Sequence, residues 1–294
     1  EDCINITTAE MFDRLSSEYL IHPTDTQASY SNLAYAILGN VLSEYKGDSS
    51  YNQTLFDLII NPLGLKHTGL YLNPDQQKYA ATGYDAPTRS EAPYVDIGWV
   101  GPAGQIFSSV NDLSVLMKQY FAAYPSLFQQ DIGDNYPFVV APQTLREMLR
   151  PVFINPDQKS GFGSPWEMQM LDKHFIRGKG GNINGFSSEY DMIPEMKLGL
   201  IALSNYDLDE SIFTLPIYEI LVPAFKSWMN SMQSSEFKPI LPSNTDKYIG
   251  YYYDGKVPLF QVYMNDKTDN LMLISNVEGL YGIMTWMGDN VDDG

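Results

Sequence analysis

The alternation of polar and apolar residues is clearest between residues 175 and 205, and this stretch predicts the centre of the fold. Ser187 to Ile193 alternates, Leu198 to Leu203 is almost wholly apolar, and Pro194 to Lys197 separates them as a turn. We therefore predict an antiparallel meander whose last strand is central and buried. A glycine-rich turn is predicted at Gly178 to Gly185, where another molecule can approach the backbone. Taken alone, a plain β-meander with a solvated lysine is the simpler interpretation.

Helical periodicity dominates the first half of the chain. Thr7 to Glu10 forms a capping box that opens a first helix, with Tyr19 as the last residue of its apolar stripe. A second helix is predicted from Asn32 to Tyr45, ending at Gly47, and its apolar content predicts burial on most sides. A third helix is predicted at Tyr51 to Ile60, ending before Pro62. A capping box at Ser109 to Asp112 opens a fourth helix, which ends at Ala123, and two more are predicted at Pro142 to Leu149 and Ile212 to Met232.

The last part of the chain changes character. Residues 234–247 are rich in Ser, Pro and Asn, and this composition is typical of a linker. Residues 248–294 contain short apolar runs separated by Asp, Gly and Asn turns, which predict a small β module that we expect to be incomplete at its end. We therefore expect a larger mixed α and β domain at residues 1–233, followed by the linker and this module.

Composition excludes some classes of partner. The chain has 294 residues and a formal net charge of −18, which argues against binding to nucleic acid or to an anionic membrane surface. No apolar run approaches the length of a membrane-spanning helix. Because the sequence starts at Glu1 rather than at methionine, we expect that both ends have been trimmed.

Three residues near the start of the chain suggest secretion. Asn5 and Asn52 each begin an Asn-X-Thr sequon, the acceptor pattern for N-glycans in secreted eukaryotic proteins. Cys3 is the only cysteine, and an odd cysteine in a secreted chain predicts a disulfide partner outside the chain. We therefore predict an extracellular glycoprotein.

The sequence predicts neither a metal nor another cofactor. His22, His67 and His174 do not occur at helical ligand spacing, and no H-E-x-x-H motif is present, so a zinc site is not expected. Acidic loops at residues 207–210 and 289–293 lack the spacing of a calcium-binding EF-hand, and solvated loops explain them better.

Two short motifs carry the candidate chemistry. Tyr30-Ser31-Asn32 precedes the second helix, and Lys179-Gly180-Gly181 lies in the predicted meander. Each motif alone is weak. With their surroundings they resemble the penicillin-recognising serine hydrolases, which include class C β-lactamases, DD-peptidases and related esterases. The segments that carry the resemblance, in matching order and spacing, are ASYSNLAYAILGNVLSEYKG, NPLGLKHTG, GPAGQIFSSVNDLSVLM, SPWEM and KGGNINGFSSEYDMIPEMKLGLIALSN.

The resemblance covers roughly Thr7 to Met232 and implies a fold. It implies a β-lactamase/DD-peptidase-like α/β (α+β) architecture, with an antiparallel sheet flanked by helices and a mostly helical subdomain. SPWE and KGG are most similar to the eukaryotic secreted β-lactamase-like proteins.

The resemblance also implies roles for individual residues. Tyr30 would be the acid/base group, and a phenol ionises at neutral pH only beside cations. Lys179 would supply such a cation and attract a substrate carboxylate. Asn32 would bind a substrate amide or orient a lysine, Gly181 would let the substrate lie along the strand, and the Asn182 backbone N–H would be one oxyanion donor.

One part of the family pattern is missing. Acyl transfer needs S-x-x-K, a serine nucleophile with a lysine one helical turn later, many tens of residues before Tyr30. Only 29 residues precede Tyr30, and none forms this motif. Ser43 and Lys46 fit its letters but lie after Tyr30, so we interpret the match as a coincidence. Ser187 and Ser188 match structural positions.

Two hypotheses of different class follow. The first is a secreted serine hydrolase acting on a small ester, amide or peptide through an acyl-enzyme, with its nucleophile outside this chain. The second is an inactive extracellular structural or binding protein that retains the fold and self-assembles. In both, we expect the upstream part of the protein or another copy to cover the sheet edge. A third possibility is a proteolytic cut that leaves two chains joined through Cys3.

Overall fold

The computed structural model describes residues 6–86, 88–124, 136–206, 211–236, 245–254, 257–265, 270–275 and 281–283. The chain divides into two compact units, Glu1–Pro223 and Ala224–Gly294. The boundary between the units falls within the last helix. The boundaries predicted from composition, at residues 233/234 and 247/248, remain predictions.

The first unit contains helices and short turns of helix around one large sheet. Its α-helices are α1 (Thr8–Leu15), α2 (Asn32–Lys46), α3 (Tyr51–Leu55), α4 (Asn61–Leu63), α5 (Val110–Ala123), α6 (Pro142–Met148) and α7 (Ser211–Glu236), the last of which continues into the second unit. Shorter helical turns occur at Phe56–Ile60, Gln76–Lys78, Gly98–Ala103 and Pro194–Met196. Small strands β1 (Gly83–Tyr84) and β2 (Glu91–Ala92) pair with each other.

The helix signals in the sequence locate most helix ends well. Thr7 and Glu10 form the predicted capping box of α1, but the helix stops at Leu15, and Tyr19 is almost fully exposed instead of extending the apolar stripe. Ser109 caps α5 as predicted. The carboxylate of Asp112 does not complete that capping box, because it accepts hydrogen bonds from His67 N and Thr68 Oγ1.

The third predicted helix continues further than expected. Helical backbone runs from Tyr51 through a π-helical turn at Phe56–Ile60 and into α4. Pro62 therefore lies inside helical structure, at a position in the first turn of α4 that tolerates a missing N–H. Gly64 in the left-handed conformation, with φ of 65°, ends the run.

Helix α2 has the predicted ends but not the predicted burial. Gly47 closes it with a φ of 80°, as expected for a glycine cap. Its buried residues are Ala36, Gly39 and Ser43, and Gly39 packs so closely on Pro102 that a Cβ would collide with the proline ring. Ile37 is half-buried, and five other apolar side chains are exposed, namely Leu33, Tyr35, Leu38, Val41 and Leu42. Apolar composition predicted burial, but the described chain covers only one face.

A six-stranded antiparallel sheet organises the first unit. Its strands, in spatial order, are β3 (Phe153–Ile154), β4 (Ser160–Phe162), β5 (Glu167–Leu171), β6 (His174–Ile183), β7 (Phe186–Ile193) and β8 (Leu198–Ser204). The mixed α/β fold with an antiparallel sheet and flanking helices is as predicted. Residues 174–204 form the predicted meander, in which Lys197 closes the second turn at a φ of 52°.

Two details of the meander differ from prediction. Residues Gly178 to Ile183 are strand rather than turn, and only Asn184 and Gly185 reverse the chain between β6 and β7. Within the described residues, β8 is an edge strand rather than a central one, since its only strand partner is β7. Apolar composition again predicted a neighbour that this part of the chain does not supply.

The main core lies where α5 and α6 pack on one face of the sheet. Trp166 stacks on Tyr190, with ring centroids 5.6 Å apart, and meets Tyr120 of α5 edge-on at 5.2 Å. Met168 and Met192 complete the buried layer on the sheet side. Alternation along β7 places Tyr190 and Met192 in this core and leaves Glu189 and Asp191 on the opposite face.

The second unit contains a separate antiparallel sheet of four strands. These are β9 (Gly250–Asp254), β10 (Val257–Asn265), β11 (Asn270–Ser275) and β12 (Tyr281–Ile283), in the spatial order β12, β11, β10, β9. A 3-10 turn at Thr245–Lys247 precedes them. All four strands lie within residues 248–294, where the sequence predicts a small β module.

Candidate active site

Tyr30 lies where an irregular segment enters α2. Ser31 is the N-cap of the helix and its Oγ accepts a 3.0 Å hydrogen bond from Ala34 N. The cap fixes the start of the helix, and Tyr30 is the residue immediately before it. Its side chain is 61% exposed, so it is open to a ligand. The Y-x-N pattern therefore holds the phenol at the surface through a helix cap.

Lys179 lies on β6 at the point where that strand loses one neighbour. β5 pairs with β6 from His174 to Gly178, whereas β7 pairs with it as far as Ile183. The described residues place no strand beside Lys179–Ile183 on the β5 side. This open edge of β6 presents backbone hydrogen-bonding groups to an extended ligand, as in binding by strand addition.

The structure brings these two sequence-predicted residues together. The Nζ atom of Lys179 lies 5.1 Å from the centroid of the Tyr30 ring, within the range of a cation–π contact. The Lys179 ammonium also donates a 2.5 Å hydrogen bond to the Gly180 carbonyl. A cation therefore lies over the ring of an exposed phenol, beside an open strand edge.

Glu167, at the start of β5, makes an ion pair with the same lysine. Its Oε1 atom lies 3.1 Å from Lys179 Nζ, and both side chains are partly exposed. Tyr35, in the first turn of α2, is close enough to Lys179 and Glu167 for their charges to affect the pKa of its phenol. Burial, the largest influence, raises the pKa of the Tyr35 phenol. The site thus contains two tyrosines, one ammonium and one carboxylate.

Two carboxyl groups lie on the opposite face of the same strands. The Asp191 carboxyl lies against Gly178, where a Cβ would collide with it, and a Cβ on Gly180 would lie 3.0 Å from Glu189 Oε2. Burial, followed by the neighbouring Asp191 carboxyl, raises the pKa of Glu189 to about 8. Burial also raises the pKa of Asp191. The side chains of Glu189 and Asp191, together with Glu167, line a cavity of about 640 Å³.

Comparison with known proteins identifies the family of the chain. The family model described as Beta-lactamase matches residues 4–221. The chain belongs to the beta-lactamase family. Beta-lactamase-like protein 2 of Dictyostelium discoideum is 24% identical over 300 residues, covering 92% of this chain and 52% of its own length. The chain spans about half the length of curated relatives that it matches.

Solved structures agree on the fold. The crystal structure of a class C beta lactamase from Rhodobacter sphaeroides has a TM-score of 0.61 at 20% identity, covering 74% of this chain and 66% of that one. An octameric penicillin-binding protein homologue from Pyrococcus abyssi has a TM-score of 0.59 at 17% identity, covering 94% of this chain and 59% of its own. At these identities, the likeness establishes the architecture of the family and nothing more.

The other predicted substrate-binding residues of this beta-lactamase family member lie on the same elements. Asn32 is exposed at the first residue of α2, two residues after Tyr30. Gly181 and Asn182 are exposed on the open edge of β6, paired on its other side with Ser188 and Ser187 of β7. All three positions border the site, and their predicted roles remain predictions.

The serine residues that matched motif letters are engaged elsewhere. Ser43 is buried, and its Oγ donates a 3.0 Å hydrogen bond to the Gly39 carbonyl. Lys46 makes ion pairs with Asp48 and Asp57. Ser187 donates to the Tyr206 carbonyl, which fits the structural role predicted for it.

Sequence reasoning assigned no role to Glu167 and Tyr35. Both were visible, since Glu167 is the acidic residue of the SPWEM segment and Tyr35 lies three residues after Asn32. Neither residue type by itself predicts proximity to Lys179. The pairing of β5 with β6 brings Glu167 to the lysine, and the packing of α2 brings Tyr35 near it.

The remaining predicted features lie away from this site or outside the described residues. Asn52 is exposed within α3. Cys3, Asn5 and both acidic loops fall outside the described residues. Across the described ranges, no three histidine, cysteine or acidic side chains are grouped as metal ligands. The same ranges contain no helix with the length and apolar content needed to cross a bilayer.

Proposed function

We propose that the intact protein is a serine hydrolase of the beta-lactamase family that acts on an ester or amide through an acyl-enzyme. Its nucleophile would belong to an S-x-x-K pair upstream of residue 1. One observation carries the proposal: Lys179 Nζ lies 5.1 Å from the ring of Tyr30, beside an open strand edge. Within this family fold, that contact joins the two motifs that would handle the proton and hold the substrate.

The proposed reaction has two halves. The serine oxygen attacks the substrate carbonyl carbon while Tyr30 takes the serine proton, and the resulting tetrahedral oxyanion is stabilised by backbone donors that include Asn182 N–H. Tyr30 then protonates the departing alcohol or amine, and the carbon–heteroatom bond breaks to leave a seryl ester. Water attacks that ester, which releases the acid and restores the serine. Lys179 stabilises negative charge near Tyr30.

Two exposed surfaces support the idea that another segment completes the unit. The outer edge of β8 has no partner strand within the described residues, and unpaired strand edges favour pairing with another chain. Helix α2 exposes an apolar face in which Leu38 is 61% accessible. Contiguous exposed apolar surface is a common mark of an interface. We propose that the upstream part of the same protein covers both.

A serine-directed fluorophosphonate probe tests the proposal on the full-length protein. We expect one adduct, on a serine with a lysine three residues later, located by peptide mass spectrometry. Tyr30→Phe should slow labelling about 100-fold or more, as expected when a general base is lost. Tyr45→Phe, at an exposed position near the end of α2, serves as the matched control and should label like wild type. An unlabelled but folded full-length protein would refute the hydrolase.

The open edge of β8 also favours a second candidate, an inactive extracellular protein that self-assembles. In that case another copy, rather than the upstream segment, would pair with β8. Multi-angle light scattering of the full-length protein distinguishes the two. Concentration-dependent oligomers without probe labelling would favour the structural protein, and a labelled monomer would eliminate it. Both candidate functions predict a secreted protein with an N-glycan at Asn52. A shift in electrophoretic mobility after glycosidase treatment of the secreted protein tests this expectation.

A further inference from the structure

The lysine of the open strand edge is already neutralised by a neighbour. Lys179 Nζ lies 3.1 Å from Glu167 Oε1, and the two side chains are similarly exposed, at 41% and 43%. A substrate carboxylate that approached the ammonium would also approach the carboxylate of Glu167. At such short range, attraction to one charge and repulsion from the other largely cancel.

Two further ionisable groups, on β7 and β6, lie near this ion pair. Glu189 lies within electrostatic range of both Glu167 and Lys179, on the strand that flanks β6. The next cation along β6, Arg177, is buried and binds Glu195 at 2.8 Å. Arg177 also donates a hydrogen bond to the Leu149 carbonyl, so its guanidinium is held in the protein interior, away from a ligand on the strand edge.

We infer that Glu167 sets substrate charge in this protein, making the β6 edge select neutral or cationic esters and amides over those whose leaving group carries a carboxylate. This inference rests on the proposed hydrolase function and narrows it to a substrate class. Lys179 then serves mainly to hold and polarise Tyr30, and the ion pair with Glu167 fixes its position. Glu167 acts on the substrate's charge without taking part in bond breaking.

Two isosteric esters that differ by one charge test the inference. We would compare 3-carbamoylphenyl phenylacetate with 3-carboxyphenyl phenylacetate as substrates of the full-length protein. Wild type should have the higher kcat/KM for the neutral carbamoyl ester. Glu167→Gln should raise kcat/KM for the carboxy ester about 10-fold, chiefly through KM, because ground and transition states both carry the carboxylate. The readout is the ratio of the two kcat/KM values, because any change in the position of Lys179 affects both esters alike and cancels in that ratio.

A matched control separates local from global charge. Glu147 also makes a 3.1 Å ion pair, with Arg150, and is 47% exposed, but it lies on α6. Glu147→Gln removes the same charge elsewhere and should alter neither ester. If wild type prefers the carboxy ester, or Glu167→Gln changes both esters equally, the inference is wrong while the hydrolase stands.

A binding measurement keeps the inference testable if neither ester is hydrolysed. Fluorophosphonate labelling would then decide separately whether the hydrolase stands, and titration of 15N-glycine-labelled protein with 3-hydroxybenzoate and 3-hydroxybenzamide would decide the charge preference. An approximately 10-fold gain in benzoate affinity in Glu167→Gln, read from the signals of Gly180 and Gly181, supports the inference. Equal benzoate affinity in wild type and variant overturns it.

Discussion

The carboxyl groups of Glu189 and Asp191 should make the stability of the protein depend on pH in an unusual direction. Burial raises the pKa of Glu189 from 4.5 to about 8, so the folded protein holds a proton that the unfolded chain releases. A raised carboxyl pKa stabilises the fold fully below pH 4.5. That stabilisation is lost as pH rises toward 8. Between these values the free energy of unfolding should therefore fall, whereas salt-bridged carboxylates make it rise.

The structure sets the size of this effect. Each unit of pKa difference corresponds to about 1.36 kcal/mol, so the difference at Glu189 has a ceiling of roughly 5 kcal/mol. Solvent reaches part of the side chain, and screening reduces the expected contribution to about 2 kcal/mol. Glu189→Gln keeps the shape and the hydrogen-bonding capacity of the protonated acid. This variant should therefore match wild type near pH 5 and exceed its stability near pH 8.5.

Urea unfolding of the full-length protein at a series of pH values measures the difference directly. Subtracting the variant from wild type removes titrations common to both, including that of Lys197, whose pKa burial lowers to about 8. Glu91→Gln, an exposed substitution on β2, controls for net charge and should show no such difference. A wild-type minus Glu189→Gln difference that stays constant from pH 5 to 8.5 would refute the reasoning.

Other predictions concern packing and the strand edge. Gly185→Ala should cost about 3 kcal/mol, because φ is 77° and the added methyl would lie 2.8 Å from Tyr84 N, whereas Gly47→Ala, with φ of 80° and open space, should cost about 1 kcal/mol. Equal losses in thermal denaturation would contradict this. Trp166→Ala should cost about 4 kcal/mol, since its ring is 6% exposed and stacks on Tyr190, and near-UV circular dichroism should lose amplitude. The 294-residue chain alone should associate through β8 at micromolar concentration, unlike the full-length protein, and light scattering showing a stable monomer would argue against that.

The sequence predicted local structure well because the deciding interactions are local. The box of Thr7 and Glu10 and the glycine at Gly47 each act within one helical turn, and each appears where expected. The meander was predictable for a similar reason, since its turns are short and its strands alternate. Asp112 could not be predicted in this way, because its carboxylate accepts a hydrogen bond from the backbone N–H of His67, 45 residues away along the chain.

The burial of individual side chains was less predictable, because it depends on which other segment of the protein packs against them. The apolar residues of α2 and β8 predicted enclosure, yet the described chain packs α2 through Ala36 and Gly39 and leaves β8 at an edge. Hydrophobicity shows that a surface needs a partner but not which segment provides one. The same holds at the site, where Tyr30 and Lys179 followed from motifs, while Glu167 required the register of β5 against β6.

The central claim is that Tyr30 and Lys179 act as one unit in acylation. A double-mutant cycle on the full-length protein, with Tyr30→Phe, Lys179→Met and the double variant, tests it through the second-order rate of fluorophosphonate labelling. Residues that share one proton-transfer step should be strongly non-additive, so the double variant should be about as slow as Tyr30→Phe alone. Additive losses in the cycle, or labelling that neither substitution slows, would contradict the account.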